Sequence, residues 1–130
     1  MNMYSGILVK SGNKVLLCKR CSKCSLPNVW SFPSGHVEKG ESTLDAARRE
    51  FLEETDVKIS NVRLLGLLKS RTGKGLVYVY LHETKKTIEP DLDNAKDGEE
   101  HSECKYFSLD EIDTKKTTPE LYELIKKVLS

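Results

Sequence analysis

The sequence predicts an α/β fold: a mixed β-sheet with helices on both sides, in one domain covering residues 1–130. Three observations carry this. Short apolar runs rich in β-formers come in pairs, separated by turn residues. One stretch free of Gly and Pro, Thr43 to Thr55, carries apolar residues at helical spacing. A second helical pattern closes the chain after Thr118-Pro119, with the proline at the first helical position. At 130 residues the chain is long enough for a real core and too short for a second one.

Taken in order, Tyr4 to Val9 (Y-S-G-I-L-V) and Val15 to Cys18 are strand-like runs separated by S-G-N, a hairpin signature. Residues 19 to 29, K-R-C-S-K-C-S-L-P-N-V, are polar, carry a Pro near their end and read as a loop. Trp30-Ser31-Phe32-Pro33 alternates large apolar with small residues and forms a short strand leading into Gly35. Ser42 is a good N-cap for the helix, and Asp45 stands where a capping box needs its partner. Leu44, Ala47, Phe51 and Leu52 supply the apolar stripe. Val62 to Leu68 and Leu76 to Leu81 form a second hairpin about the turn T-G-K-G. Residues 82 to 103 are polar and acidic, contain Pro90 and Gly98, and read as a long loop of the functional or mobile kind. Cys104 to Leu109 is the last strand, and Ser108-x-x-Glu111 is the capping-box pattern of a short helical turn. The terminal helix turns Leu121, Leu124, Ile125 and Val128 to the core.

Composition narrows the function classes. With 38% hydrophobic and 32% charged residues the chain is an ordinary globular sequence. A net charge of +1 argues against a nonspecific nucleic-acid or membrane binder, which carries a basic excess. No apolar run approaches the ~20 residues of a membrane span, and the N-terminus shows no signal-peptide pattern. The expectation is a cytoplasmic protein. Cys18, Cys21 and Cys24 form C-x2-C-x2-C, with Cys104 far downstream. Reduced thiols, a four-cysteine zinc site and disulfides compete here. Without a secretory signal disulfides come last. Zinc would need Cys104 to fold back onto the loop, so free thiols come first.

The chemistry-bearing stretch runs from Gly35 to Val57. Glu50, Glu53 and Glu54 stand at i, i+3 and i+4 on the helix and share one face a single turn long. Carboxylates this close raise one another's pKa, and a hard divalent cation removes that conflict because Mg²⁺ prefers oxygen ligands. The bland alternative is a solvated face laced by ion pairs, which is what most charge runs are. Context favours the metal. Gly35, five residues, Glu41, seven residues and then Arg49-Glu50-Phe51-x-Glu53-Glu54 resembles the Nudix box, G-x5-E-x7-R-E-U-x-E-E-x-G-U, with U apolar. Every fixed position matches except the penultimate, where Asp56 replaces Gly. A Gly there supplies the left-handed residue that ends the helix, and Asp reaches that conformation at roughly 1 kcal/mol or less over Gly. K-V-L-L-x-x-R and W-x-F-P upstream are similar to the start of MutT-type Nudix domains.

The resemblance implies a Nudix-type α/β/α sandwich and Mg²⁺-dependent hydrolysis of a nucleoside diphosphate linked to another group, with Mn²⁺ a possible substitute. It implies Glu50, Glu53 and Glu54 as metal ligands, the Ser34 carbonyl as a further one, and Glu41 as support for the metal shell. Arg49 would orient the carboxylates by charge-assisted hydrogen bonds, a role for which Lys is poorly shaped. Gly35 would let the loop backbone approach the phosphates. The general base is Glu53 within the box or a carboxylate shortly before the last strand, among Glu99, Glu100 and Glu103, with spacing favouring Glu100. His101 could touch substrate, although a lone loop His is more often merely exposed. Arg20 could grip a phosphate. Tyr78, Tyr80 and the loops 19–29 and 82–103 are expected to build the substrate pocket. Missing subfamily markers leave a MutT-type nucleoside triphosphate pyrophosphohydrolase as the default. ADP-ribose, dinucleoside polyphosphates, dinucleotide cofactors and capped or 5'-triphosphate RNA ends are the alternatives, on a monomer or homodimer. A non-catalytic Nudix-fold module and a zinc-binding protein are the rivals from other classes.

Overall fold

The structure is a computed structural model and describes residues 2–70 and 73–130. Seven strands among these residues form one mixed sheet: β1 (Asn2–Ser11), β2 (Lys14–Arg20), β3 (Trp30–Ser31), β4 (Ser34–His36), β5 (Arg63–Lys69), β6 (Gly75–Thr84) and β7 (His101–Phe107). Helix α1 (Thr43–Thr55) and helix α2 (Pro119–Leu129) pack on opposite faces of it. The main strand order is β3-β2-β1-β6-β5, with β4 on β1 and β7 on β2. β1 and β6 run parallel through ten paired positions, Asn2↔Gly75 to Ser11↔Thr84, and the other pairings are antiparallel.

The two faces follow from strand alternation. Ile7, Val9, Leu16 and Tyr80 point to α1 and meet Ala47 and Phe51. Leu8, Val15, Leu17, Val79 and Leu81 point the other way and meet Leu121 and Ile125 of α2. Four of the fully buried strand residues are β-branched, a side-chain shape that suits a pleated surface covered on both sides (Ile7, Val9, Val15, Val79).

What positions the site is a split in the sheet. β1 pairs with β2 only at the hairpin end, Lys10↔Val15 and Ser11↔Lys14. Over its first half β1 pairs with β4 instead, Tyr4↔His36 to Gly6↔Ser34. β2, freed on that edge, takes β3 there, while β7 pairs its opposite edge, with Cys18↔Ser31, Cys18↔Cys104 and Arg20↔His101 as rungs. A cleft opens where the two halves diverge.

Helix α1 has the predicted bounds. Ser42 accepts the Asp45 N–H at 3.0 Å, while the Asp45 carboxylate turns to Arg48 at 3.9 Å. Asp56 ends the helix at φ 60°, ψ 24°, its N–H on the Leu52 carbonyl, so the left-handed cap expected of it is present. The Ser108–Glu111 capping box also forms, ahead of a 3-10 turn at Leu109–Glu111. Of the T-G-K-G turn, Thr72 lies outside the described residues. The long loop is shorter than expected: β6 continues to Thr84 and β7 begins at His101, three residues before Cys104.

The free-thiol expectation is corrected. Cys18 bonds to Cys104, and Cys21 to Cys24. The first pair follows from register, because Cys18 and Cys104 stand directly opposite on β2 and β7 with Cα atoms 4.0 Å apart. The second closes a tight turn in which the Cys24 N–H reaches the Cys21 carbonyl, with Cα atoms 5.3 Å apart. A strand register joining residues 86 apart leaves no trace in cysteine spacing.

Candidate active site

Helix α1 presents its acidic face to the β4 loop. Arg49 sits at the centre of a fan of hydrogen bonds. Its Nε and Nη2 donate to the two oxygens of Glu41 at 2.8 and 3.0 Å. Its Nη1 donates to Glu50 Oε1 at 3.0 Å and Glu53 Oε1 at 3.1 Å. Nη2 also reaches the His36 carbonyl at 3.0 Å, which ties the loop to the helix. The Arg49 guanidinium holds the Glu41 carboxyl below the usual carboxylate range, and Glu41 in turn raises the arginine further. Glu53 has a second neighbour in Lys96, 3.6 Å from Oε2. Glu41, Arg49, Glu50 and Glu53 are therefore brought together as the sequence implies.

Gly35 explains itself by contact. A methyl group built on its Cα would overlap the carboxyl carbon and both oxygens of Glu50, so the backbone of the loop serves as the seat of that carboxylate. Ser34, one residue earlier, lines the adjoining cavity.

Glu54 behaves differently from its neighbours. It is buried, 2% exposed, at the end of the helix turn that faces the cleft. Its Oε1 lies 2.7 Å from His101 Nε2, and both side chains are 3% exposed. Its Oε2 has no partner, nor does His101 Nδ1. Burial, then Glu50 and Glu100, push the Glu54 carboxyl up to about 10. Burial, then Arg20, hold His101 down at about 4. Glu100 sits in the 3-10 turn Gly98–Glu100 beside α1, and burial, Asp97 and Glu50 raise its carboxyl. Its backbone carbonyl accepts the Cys21 N–H at 2.9 Å, which joins the C-x2-C turn to the site.

The cleft holds a cavity of about 430 Å³. One half of the split sheet contributes Tyr4, Leu68 and Val77, and the other contributes Arg20, Ser31 and His101. Phe32 and Ser34 lie between, Leu121 closes the α2 side, and Glu54 enters from α1. Arg20 reaches the wall, its Nε on the Ser25 carbonyl at 2.6 Å and its Nη2 on the Ser25 hydroxyl at 3.1 Å. Leu26 and Val29 show that the 19–29 loop does line the pocket.

Tyr78 and Tyr80 are not in this wall. Both point to the α1 face, where Tyr80 shares a 2.8 Å hydrogen bond with Thr43 Oγ1. Their strand alternates, so Val77 faces the cavity and the tyrosines face away. Sequence reasoning missed Tyr4, which lines the cavity and packs its ring 4.4 Å from that of His36. It left His101 between touching substrate and mere exposure; the imidazole lines the cavity and is buried against Glu54. A β-type run beginning at His101 instead of Cys104 was the available signal, and it is weak.

Among the described residues no three His, Cys, Asp or Glu side chains converge as an ion-holding cluster. Arg49 spans Glu41, Glu50 and Glu53 in the structure. The donor set nevertheless suits a hard cation: the donors are all oxygens, Glu54 Oε2 is buried without a partner, and Gly35 leaves room for the Glu50 carboxylate. No described helix is long and apolar enough to cross a membrane.

Comparison with known proteins bears on this arrangement directly. The model of the NUDIX domain family matches residues 4–128. The m7GpppN-mRNA hydrolase NUDT17 of Danio rerio is 50% identical over 70 residues, 49% of this chain and 23% of its own. The RNA pyrophosphohydrolase of Pelagibacter ubique is 39% identical over 75 residues, 55% of this chain and 45% of its own. The 8-oxo-dGTP diphosphatase of Buchnera aphidicola subsp. Schizaphis graminum is 31% identical over 80 residues, 62% of this chain and 61% of its own. The matched region thus spans less than two thirds of each of these relatives. In fold, the MutT NUDIX hydrolase from Burkholderia pseudomallei superposes with a TM-score of 0.81 over 98% of this chain and 97% of that one, at 22% identity. Fold, box and family match agree, and the chain belongs to the NUDIX domain family.

Proposed function

We propose that this chain, acting as one domain over residues 1–130, hydrolyses a nucleoside diphosphate linked to another group, at a Mg²⁺ site built on the acidic face of α1. The observation that carries the reading is Glu54: a carboxylate buried in the cavity wall, with one oxygen unpartnered and Glu50 close enough to raise its pKa. Such a group is costly to keep unless something positive or a proton joins it. Glu50, Glu53, Glu54 and the Ser34 carbonyl would hold the ion, and Glu41 would support them through Arg49. When bound there, Mg²⁺, or Mn²⁺ as a substitute, would supply charge neutralisation at a pyrophosphate and a lowered pKa for the attacking water.

The chain's own groups supply the rest. Arg49 orients three carboxylates from one planar fork. Arg20, on the cavity wall, offers a cation to a phosphate once it releases Ser25. The apolar walls at Val29, Phe32, Val77 and Leu121 exclude water from a bound nucleoside. Glu53 and Glu100 are our two candidates for the group that takes the proton of water, and Glu53→Gln against Glu100→Gln separates them. The one losing the acidic limb of its pH–rate profile is the base.

A MutT-type action on a nucleoside triphosphate, giving a nucleoside monophosphate and pyrophosphate, fits a cavity of about 430 Å³. A second reading is favoured by the relatives named as RNA pyrophosphohydrolase and mRNA cap hydrolase: the 5' end of an RNA carrying a triphosphate or a cap. The test is a Mg²⁺-dependent hydrolysis panel with product identification. It should include standard and oxidised nucleoside triphosphates, ADP-ribose, dinucleoside polyphosphates, dinucleotide cofactors, and triphosphorylated and capped RNA. One substrate cleaved at a phosphoanhydride bond, with turnover abolished by chelation, supports the reading. Silence across the panel, with Mg²⁺ bound, transfers weight to a non-catalytic nucleotide-binding module.

A further inference from the structure

We infer that His101 is a positioning residue for the metal site: its imidazole holds the Glu54 carboxylate in the orientation a cation needs. The inference rests on the function proposed above and adds to it a residue outside the box.

The geometry assigns the role. Glu54 is the one box carboxylate out of reach of Arg49, whose bonds go to Glu41, Glu50, Glu53 and the His36 carbonyl. Its side-chain hydrogen bond in this structure is instead to His101 Nε2, at 2.7 Å between two side chains that are each 3% exposed. His101 thus does for Glu54 what Arg49 does for the other three.

The proton placement follows from what is unpartnered. His101 Nδ1 is buried with nothing bonded to it. Stranding a lone pair there costs less than stranding an N–H, so the ring proton sits on Nε2 and is donated to Glu54 Oε1. That leaves Oε2, also buried and unpartnered, as the atom offered to an ion.

The imidazole itself is anchored by backbone. His101 is the first residue of β7 and pairs with Arg20 of β2, at the bulge that follows Lys19. Three residues on, the Cys18–Cys104 bridge fixes the same strand pair. Glu100, next to His101, is held by the Cys21 N–H. The backbone of His101 is thus held in the β2–β7 pair, and its buried imidazole, 3% exposed, meets Glu54 from there.

The test uses Mn²⁺ alone as probe, its affinity measured by calorimetry or electron paramagnetic resonance on the full chain. Folding is checked by circular dichroism. His101→Leu should weaken Mn²⁺ binding by about 10- to 100-fold, the usual cost of losing a group that orients a metal ligand. His101→Gln, whose amide nitrogen can reach where Nε2 stands, should restore binding to within about threefold of the parent. In a Glu54→Gln background, His101→Leu should change Mn²⁺ affinity by less than about twofold, because the residue acts through Glu54. If the leucine variant does not fold, His101→Gln against His101→Asn decides the matter, since the shorter asparagine amide misses Oε1 and should bind Mn²⁺ as weakly as a leucine would. Folded His101→Leu binding Mn²⁺ like the parent, or an undiminished leucine effect when Glu54 is already Gln, overturns the inference and leaves the proposed function intact. A parent that binds no Mn²⁺ overturns both.

Discussion

Replacing Arg49 by Lys keeps the charge and removes the shape. Arg49 makes five hydrogen bonds from one planar group: two to Glu41, one each to Glu50 and Glu53, and one to the His36 carbonyl. A lysine ammonium has three protons on a single nitrogen and cannot straddle Glu41 while also reaching Glu50 and Glu53. About three of these bonds are lost. The Arg49 side chain is 25% exposed and Glu41, Glu50 and Glu53 are 16%, 13% and 18%, so each bond is partly screened. A contribution of about 0.5–1 kcal/mol per bond gives a loss of about 2 kcal/mol. For a domain of this size that lowers Tm by about 6–10 °C. The measurement is thermal unfolding of Arg49→Lys in chelator, so that no cation replaces the missing guanidinium. A shift below about 2 °C would refute the claim that Arg49 holds the carboxylates by geometry and not merely by charge.

Gly35→Ala should displace the Glu50 carboxylate, which occupies the space of the new methyl. Divalent-cation affinity measured by titration should fall by at least about tenfold, the scale on which a disturbed ligand geometry is felt. Asp56→Gly should raise Tm by about 2–4 °C, since the residue sits at φ 60° and Gly removes a cost of up to about 1 kcal/mol while keeping the backbone cap. In the metal-free protein, Glu54 binds its proton more tightly folded than unfolded, up to about 10 against an ordinary 4.5. A raised folded pKa stabilises at low pH and loses that stabilisation as pH rises through it, so stability should fall from pH 7 to 9. His101, held down at about 4 from 6.5, acts in the opposite sense and only below pH 6.5. Chemical denaturation across pH 7–9 in chelator should therefore show a downward slope, at most ~1.4 kcal/mol per pH unit, that Glu54→Gln flattens.

Much of the site was legible because it is local. The Gly35–Val57 stretch places loop, cap and helix within one continuous segment, so spacing alone puts Glu50, Glu53 and Glu54 on one face. Asp56 takes the left-handed cap that its place after the helix implies, and Arg49, which the box resemblance set beside the carboxylates, bonds to Glu41, Glu50 and Glu53. What the sequence hid depends on pairing between distant strands. Whether Tyr78 faces the cavity or α1 turns on a one-residue parity that apolar runs on a sheet buried on both faces do not reveal. Cys18 meets Cys104, and Arg20 meets His101, only because β7 pairs along the edge of β2 opposite β1. The split sheet makes the cavity, and no single run of residues encodes it.

The most direct test of the account is ³¹P NMR of a nucleoside triphosphate, or of the substrate the panel selects, incubated with the protein and its Glu53→Gln variant in Mg²⁺ and in chelator. The account predicts, for a triphosphate, monophosphate and pyrophosphate signals with Mg²⁺ only, slowed by about 10³-fold or more in the variant. Hydrolysis that persists in chelator, or that proceeds within tenfold of the parent rate in Glu53→Gln, would contradict it.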